Sequence, residues 1–286
     1  MSRTVAEGFD EFLSRLTPLS SQISAAKSHR DRVERSLKKS LSVLNIRETG
    51  SFHHGTGVRH YSDVDVLVSL GGTQPSSSDT ALRWVKDALS ASFPTTTVRI
   101  SRPAVVVEFA SGAETWEVIP GFLQDTSPHF RYEIPGPSTG WIDTAPTEHL
   151  DYVNECNQAA ARGGAKKLAR LVKAWKYYCN VPVSSFYLEM RAAQHMATEP
   201  SFIAVWDLCL LLEWLQDYQL PAMNDPKGVT GRFHPCSSDY LKSEALSKLT
   251  TAATRARKAF DAYQADRIDD AFIWLDRLFG GHFPAR

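Results

Sequence analysis

At 286 residues, with 43% hydrophobic content and seven tryptophans, the chain can bury one large core or two small ones. Its 32 basic residues balance 32 acidic ones, which speaks against a protein whose main work is coating nucleic acid, where a basic excess is expected. The N-terminus lacks the charged-then-apolar pattern of a signal peptide, and no apolar run approaches the roughly 18 residues of a membrane span. A soluble cytoplasmic protein without membrane contact is expected.

In chain order, residues 20–44 read as a long helix. Val33, Leu37, Leu41 and Leu44 recur at spacings of three and four, with Arg and Lys opposite. Residues 45–50 lead into a turn at Gly50-Ser51, and an apolar run through Val64, Val66, Leu67 and Val68 reads as a strand. After the loop at 71–78, a helix is expected over about 78–90. Residues 104–109 read as a buried strand, Ser111-Gly112-Ala113 as a turn, and 115–120 as a second strand closed by Pro120, together a hairpin. Pro128, Pro135 and Pro137, with Gly136 and Gly140 among them, make 128–146 a long ordered connection. Beyond Pro146 the chain turns helical, with helices expected over 147–161, 164–179, 184–198, 202–218, 237–263 and 266–279, and a turn-rich loop at 223–231. This pattern predicts an α+β fold of two parts: a core over 1–146 with a long N-terminal helix, and a helical lobe over 147–286.

The sharpest chemical signal is Gly50-Ser51 followed by Asp63-Val64-Asp65-Val66. Side chains alternate along a strand, so Asp63 and Asp65 share one face, about 7 Å apart, while Val64 and Val66 face the core. Two such carboxylates suit a pair of divalent ions roughly 4 Å apart, the arrangement used for phosphoryl and nucleotidyl transfer. Their mutual repulsion is costly unless cations lie between them. A third acid is expected on the 104–120 hairpin. Glu117 sits between apolar strand neighbours, Glu108 is its competitor, and Glu114 reads as a turn residue. Gly50 permits close approach of a phosphate to the backbone, and Ser51 adds a hydroxyl donor. His53 and His54 read as solvated loop residues, and Gly55-Thr56 as either a phosphate border or plain loop structure. Cys156, Cys179, Cys209 and Cys236 lie far apart, and His234-Pro235-Cys236 has no second pair to complete it. Neither a zinc site nor a disulfide framework is expected.

Gly50-Ser51, Asp63-Val64-Asp65 and Glu117-Val118-Ile119-Pro120 resemble the core of the polymerase-beta-like nucleotidyltransferases. Within them the chain is similar to the bacterial cGAS/DncV-like nucleotidyltransferases, the CD-NTases. The likeness continues through residues 168–176 (LARLVKAWK), 184–189 (SSFYLE) and 225–228 (DPKG), covering roughly residues 41–228. One departure is that the family's third acid is usually aspartate, where this chain has Glu117.

The resemblance implies a mixed-sheet nucleotidyltransferase core, an oligoadenylate-synthase-like helical lobe, and an active site in the cleft between them. It implies Mg²⁺, with Mn²⁺ as the alternative, on Asp63, Asp65 and Glu117. Lys173 would contact the triphosphate, Ser185 would donate to a phosphate oxygen, and Phe186 would stack on a base. Asn154 or Asn157 would read a base edge, asparagine on this helix going with uracil. The substrates would be ribonucleoside triphosphates, ATP with UTP or another, joined into a cyclic di- or trinucleotide. That second messenger would switch on an effector protein in bacterial antiphage defence. A monomer that needs no nucleic acid is expected. The competing readings are RNA tailing, AMP transfer to a protein, and a catalytically inactive nucleotide-binding module.

Overall fold

The computed structural model describes residues 3–61, 63–109 and 114–286, with backbone only for 20–28. The chain begins with α1 (Val5–Leu16), capped by a Thr4–Glu7 capping box, and α2 (Ser20–Ser40). Then come β1 (Val43–Thr49), the single turn α3 (Gly50–His53), β2 (Val64–Leu70) and α4 (Ser78–Ser92). The strands β3 (Thr97–Ser101), β4 (Ala104–Phe109), β5 (Glu114–Asp125), β6 (Arg131–Pro135) and β7 (Trp141–Thr144) follow. The remainder is α5 (Pro146–Gln158), α6 (Gly164–Tyr178), α7 (Ser185–Met196), α8 (Ala204–Asp217), the short strands β8 (Met223–Asn224) and β9 (Arg232–Phe233), α9 (Asp239–Gln264) and α10 (Ile268–Leu278).

Two compact units result. The sheet unit holds Pro18–Leu150 with Asp225–Gly231. The helical unit gathers the residues up to Thr17 with Asp151–Asn224 and Arg232–Arg286. Besides moving the boundary from 146 to Leu150, this differs from a division at 146 in two segments. The first helix joins the helical unit because Phe12 packs on Phe279 and Phe283, and Phe9 on Phe283. Asp225–Gly231 joins the sheet unit because Asp225 faces His149 of α5 at 3.5 Å. That carboxylate accepts the amides of Lys227, Val229 and Thr230 at 2.9, 3.0 and 2.8 Å. Burial pulls the Asp225 carboxyl up, but the nearby His149 and the hydrogen bonds from the Thr230 and Lys227 amides hold it well below the ordinary range.

In the sheet unit the strand order is β1-β2-β5-β4-β3, with β2 and β5 parallel and their other neighbours antiparallel. One face is the apolar core. Val64, Val66 and Val68 of β2, Val105 and Val107 of β4, and Val118 of β5 pack with Val33, Leu37, Leu82, Val85 and Leu89. The other face carries Leu67 with Tyr132 and Ile134 and, further along β2 and β5, the acids.

Several elements depart from the sequence reading. The helix expected over 20–44 stops at Ser40, because the chain from Val43 pairs antiparallel with β2, leaving Leu44 64% exposed. Pro120 does not close its strand. β4 pairs with β5 only through Val118 and β6 pairs with it only from Phe122, so Pro120 falls in the gap between two antiparallel partners. Glu114 is the first residue of β5, accepting from Trp116 Nε1 at 2.6 Å and facing His29 at 3.0 Å. The connection over 128–146 contains β6 and β7; Pro135 ends β6, and Pro128 and Pro137 lie outside both strands. The turn expected at Ser111-Gly112-Ala113 lies outside the described residues. No described helix is long and apolar enough to cross a membrane.

Candidate active site

Asp63 immediately precedes β2, Asp65 is its second residue, and Glu117 is the fourth residue of β5. Asp65 and Glu117 are register partners on parallel strands, so their side chains leave one face side by side, with strands about 4.8 Å apart. Burial, and then the charge of Asp63, pushes the Glu117 carboxyl above its ordinary range, against smaller opposing contributions from Arg99 and Asp65. Asp63 is raised as well, by burial, with Arg99 opposing. Three acids thus crowd one partly buried spot with net repulsion, the condition that a hard cation relieves. Among the described residues no three His, Cys, Asp or Glu side chains form a ready-made coordination sphere. The donor set and its charge fit a divalent ion, and Asp63, Asp65 and Glu117 would hold it. Glu108 belongs elsewhere. It lies on β4, opposite Thr115, and pairs with Arg99 of β3 at 3.1 Å.

Beside the acids, Thr49 at the end of β1 is the register partner of Asp65. Gly50 follows with φ +65°, and a Cβ there would lie 1.7 Å from Asp65 Oδ2. Only glycine lets the backbone pass this close to the carboxylate. The Ser51 carbonyl accepts the Thr56 amide at 2.9 Å, and Thr56 is fully buried, which gives Thr56 a loop-building role. His53 is exposed, whereas His54 is buried rather than solvated. The same unit has a cleft of about 340 Å³ whose lining includes Arg47, Thr49, Thr147 and Leu150.

In the helical unit the expected assignments are redistributed. Lys173, expected at the triphosphate, is 1% exposed and forms a buried ion pair with Glu189 of α7. One turn later, Lys176 Nζ donates to Ser185 Oγ at 2.6 Å, with the Tyr177 hydroxyl 3.1 Å from the same oxygen. Burial, and then the charge of Lys173, lowers the Lys176 pKa. Ser184, not Ser185, caps α7 by accepting the Tyr187 amide, which leaves Ser185 to meet the lysine. Phe186 is partly buried and stands edge-to-face on Phe233 at 4.8 Å. Asn157 accepts the Lys166 amide at 3.0 Å, so its carboxamide caps the start of α6 rather than standing ready for a base. Asn154 is partly buried on α5. The signal for Lys176 was present in the sequence as two lysines one helical turn apart. Which of them faces α7 is a matter of packing.

Residues 3–157 match the family described as Second Messenger Oligonucleotide or Dinucleotide Synthetase domain. The chain belongs to this family. A curated relative, the cyclic AMP-AMP-AMP synthase of Escherichia coli (strain MS 115-1), is 25% identical over 167 residues. That stretch covers 54% of this chain and 50% of the relative, so the match spans about half the length of each. The solved E. coli MS115-1 CdnC with ATP superposes with a TM-score of 0.78 at 17% identity, covering 98% of both chains. The Bradyrhizobium diazoefficiens CD-NTase CdnG with GTP gives 0.78 at 14% identity, covering 97% of this chain and 95% of that one. Family and fold therefore agree: an α+β core with a mixed sheet and a largely helical C-terminal part, as in the CD-NTases.

Proposed function

We propose that this chain is a divalent-cation-dependent nucleotidyltransferase that joins ribonucleoside triphosphates into a cyclic di- or trinucleotide. The observation that carries the reading is the register of Asp65 with Glu117, with Asp63 two residues before Asp65 and the Gly50 backbone against its carboxylate. Family membership supports it, since the family is described by second-messenger synthesis. Mg²⁺ or Mn²⁺, bound by Asp63, Asp65 and Glu117, would supply charge neutralisation and a lowered pKa for the acceptor hydroxyl.

The residues of the chain supply position. Gly50 and Ser51 offer a close backbone approach and a hydroxyl for phosphate oxygens. Lys176, with Ser185 as its partner, offers a cation and a second hydroxyl for phosphate, the role the sequence reading gave to Lys173. Phe186 presents a ring for a base, and Asn154 remains the candidate for reading a base edge, with UTP as the substrate it would favour. The acceptor ribose hydroxyl attacks the α-phosphorus of the donor. A new P–O bond forms, the bond to the bridging oxygen breaks, pyrophosphate leaves with that electron pair, and the hydroxyl proton passes to solvent. A second transfer within the linear product closes the ring. Such a product would act as a signal to an effector, in antiphage defence.

The test is incubation with all four labelled ribonucleotides and Mg²⁺ or Mn²⁺, then phosphatase treatment and mass spectrometry. The expected result is a phosphatase-resistant product lacking free ends, lost in Asp63→Asn/Asp65→Asn. Product that grows only on added RNA would overturn the cyclic reading in favour of tailing.

A further inference from the structure

We infer that Arg99 binds the acceptor nucleotide through its 5′-phosphates. This rests on the nucleotidyl-transfer reading and adds the side of the sheet on which the acceptor lies. Register pairs align in one line across the strands: Thr49 opposite Asp65, Asp65 opposite Glu117, Glu117 opposite Val106, and Val106 opposite Arg99. Register partners point to the same face, so Arg99 shares the face of the acids at the far end of that line. At about 4.8 Å per strand, its Cα lies roughly 10 Å from that of Glu117.

The two ends of the line differ in character. At the β1 end the Gly50 backbone touches Asp65, leaving room for phosphates and no space for a side chain. At the β3 end stands a guanidinium, its side chain 53% exposed and steadied by Glu108 at 3.1 Å. Directly beside it Val106 is buried, and two residues along the strands the same face is polar, with Thr97 and Thr115 opposite Glu108 on either side. In-line displacement puts the attacking hydroxyl and the leaving pyrophosphate on opposite sides of the phosphorus. With the donor phosphates at Gly50-Ser51, the acceptor lies over β5, β4 and β3. Its nucleophilic hydroxyl is then near Glu117 and its 5′-phosphates point toward Arg99. The long arginine side chain and the acceptor's ribose-to-phosphate arm together bridge the remaining distance. A guanidinium fork matches two phosphate oxygens at once, which a lysine cannot do. The charge of Arg99 already reaches Asp63 and Glu117.

The experiment holds one ribonucleoside triphosphate as donor and compares three acceptors: a ribonucleoside 5′-triphosphate, its 5′-monophosphate and the free nucleoside. For the wild type, kcat/KM should favour the triphosphate acceptor. In Arg99→Ala the ratio of triphosphate to nucleoside acceptor should fall at least about tenfold, the effect of one lost charge-assisted hydrogen bond, and Arg99→Lys should recover part of it. The Arg99–Glu108 pair is exposed, so the variants should fold, and their Tm values provide the check. An unchanged ratio in Arg99→Ala would mean that Arg99 is only a surface ion pair, and an equal loss for all three acceptors would mean that it acts through the acids. Either result overturns the inference while leaving the transferase reading intact. A wild type that forms no phosphodiester with any acceptor overturns both.

Discussion

At the scale of single residues, the acids trade stability for chemistry. Glu117 is destabilised as an anion by burial and by Asp63, so removing its charge relieves the metal-free protein. Glu117→Gln should cut product formation by about 10²–10³-fold, the range for losing one preorganised electrostatic group. It should also raise the Tm of metal-free protein, at roughly 2–4 °C per kcal/mol relieved. A fall in both quantities would identify Glu117 as a structural residue. Gly50 answers to geometry. Gly50→Ala drives a methyl into Asp65 at positive φ, and the strain should cost about 1–3 kcal/mol with loss of product, measured by denaturant unfolding and by turnover. Asp225 has the opposite electrostatics from Glu117. Its carboxyl is held low by His149 and the loop amides despite burial. Its stabilisation is therefore complete above the ordinary carboxylate pKa of about 3.9 and is lost as pH falls through the depressed value. Asp225→Asn should lower Tm most at neutral pH, and the gap to wild type should close in strong acid.

At the scale of elements, α6 divides its lysines between two tasks one turn apart. Lys173 is sealed against Glu189, and truncating one partner of a buried pair costs about 3–5 kcal/mol because the other is left uncompensated. Lys173→Ala should therefore act on Tm. Lys176→Ala should leave Tm close to wild type and raise the KM for nucleoside triphosphate about tenfold, since a charged contact is worth about 1.5–3 kcal/mol. Thermal unfolding and initial rates, measured on both variants, separate the two tasks. If Lys176→Ala lowered Tm and left KM alone, the assignment of Lys176 and Ser185 to phosphate would fail.

For the whole molecule, charge balance sets the expectation. Within α6 Lys173 is already neutralised by Glu189, and with 32 basic and 32 acidic residues the chain has no overall basic excess with which to neutralise a phosphate backbone. That neutralisation supplies essentially all non-specific nucleic-acid affinity. Nuclease-treated protein should make product at a rate that added duplex DNA or RNA does not change. A large stimulation by either would show that α6 is a sensing surface.

The sequence by itself determined the α+β division, most of the helices and the acid strand. Alternation in Asp63-Val64-Asp65-Val66 fixes two faces wherever the strand lies, because the apolar residues must be buried. It also favoured Glu117 as the third acid, since an acid between apolar strand neighbours points away from the core. It did not reveal β1, β3, β6 or β7, whose residues are only partly apolar and become strands through their neighbours' hydrogen bonds. Nor did it reveal that Lys173 pairs with Glu189 or that Asn157 accepts the Lys166 amide, because the partner of a helical side chain depends on which element packs beside it. The alignment of Thr49, Asp65, Glu117, Val106 and Arg99 is likewise a property of strand order, β1-β2-β5-β4-β3. Residues distant in sequence become neighbours in one line only once parallel and antiparallel pairing has set the register.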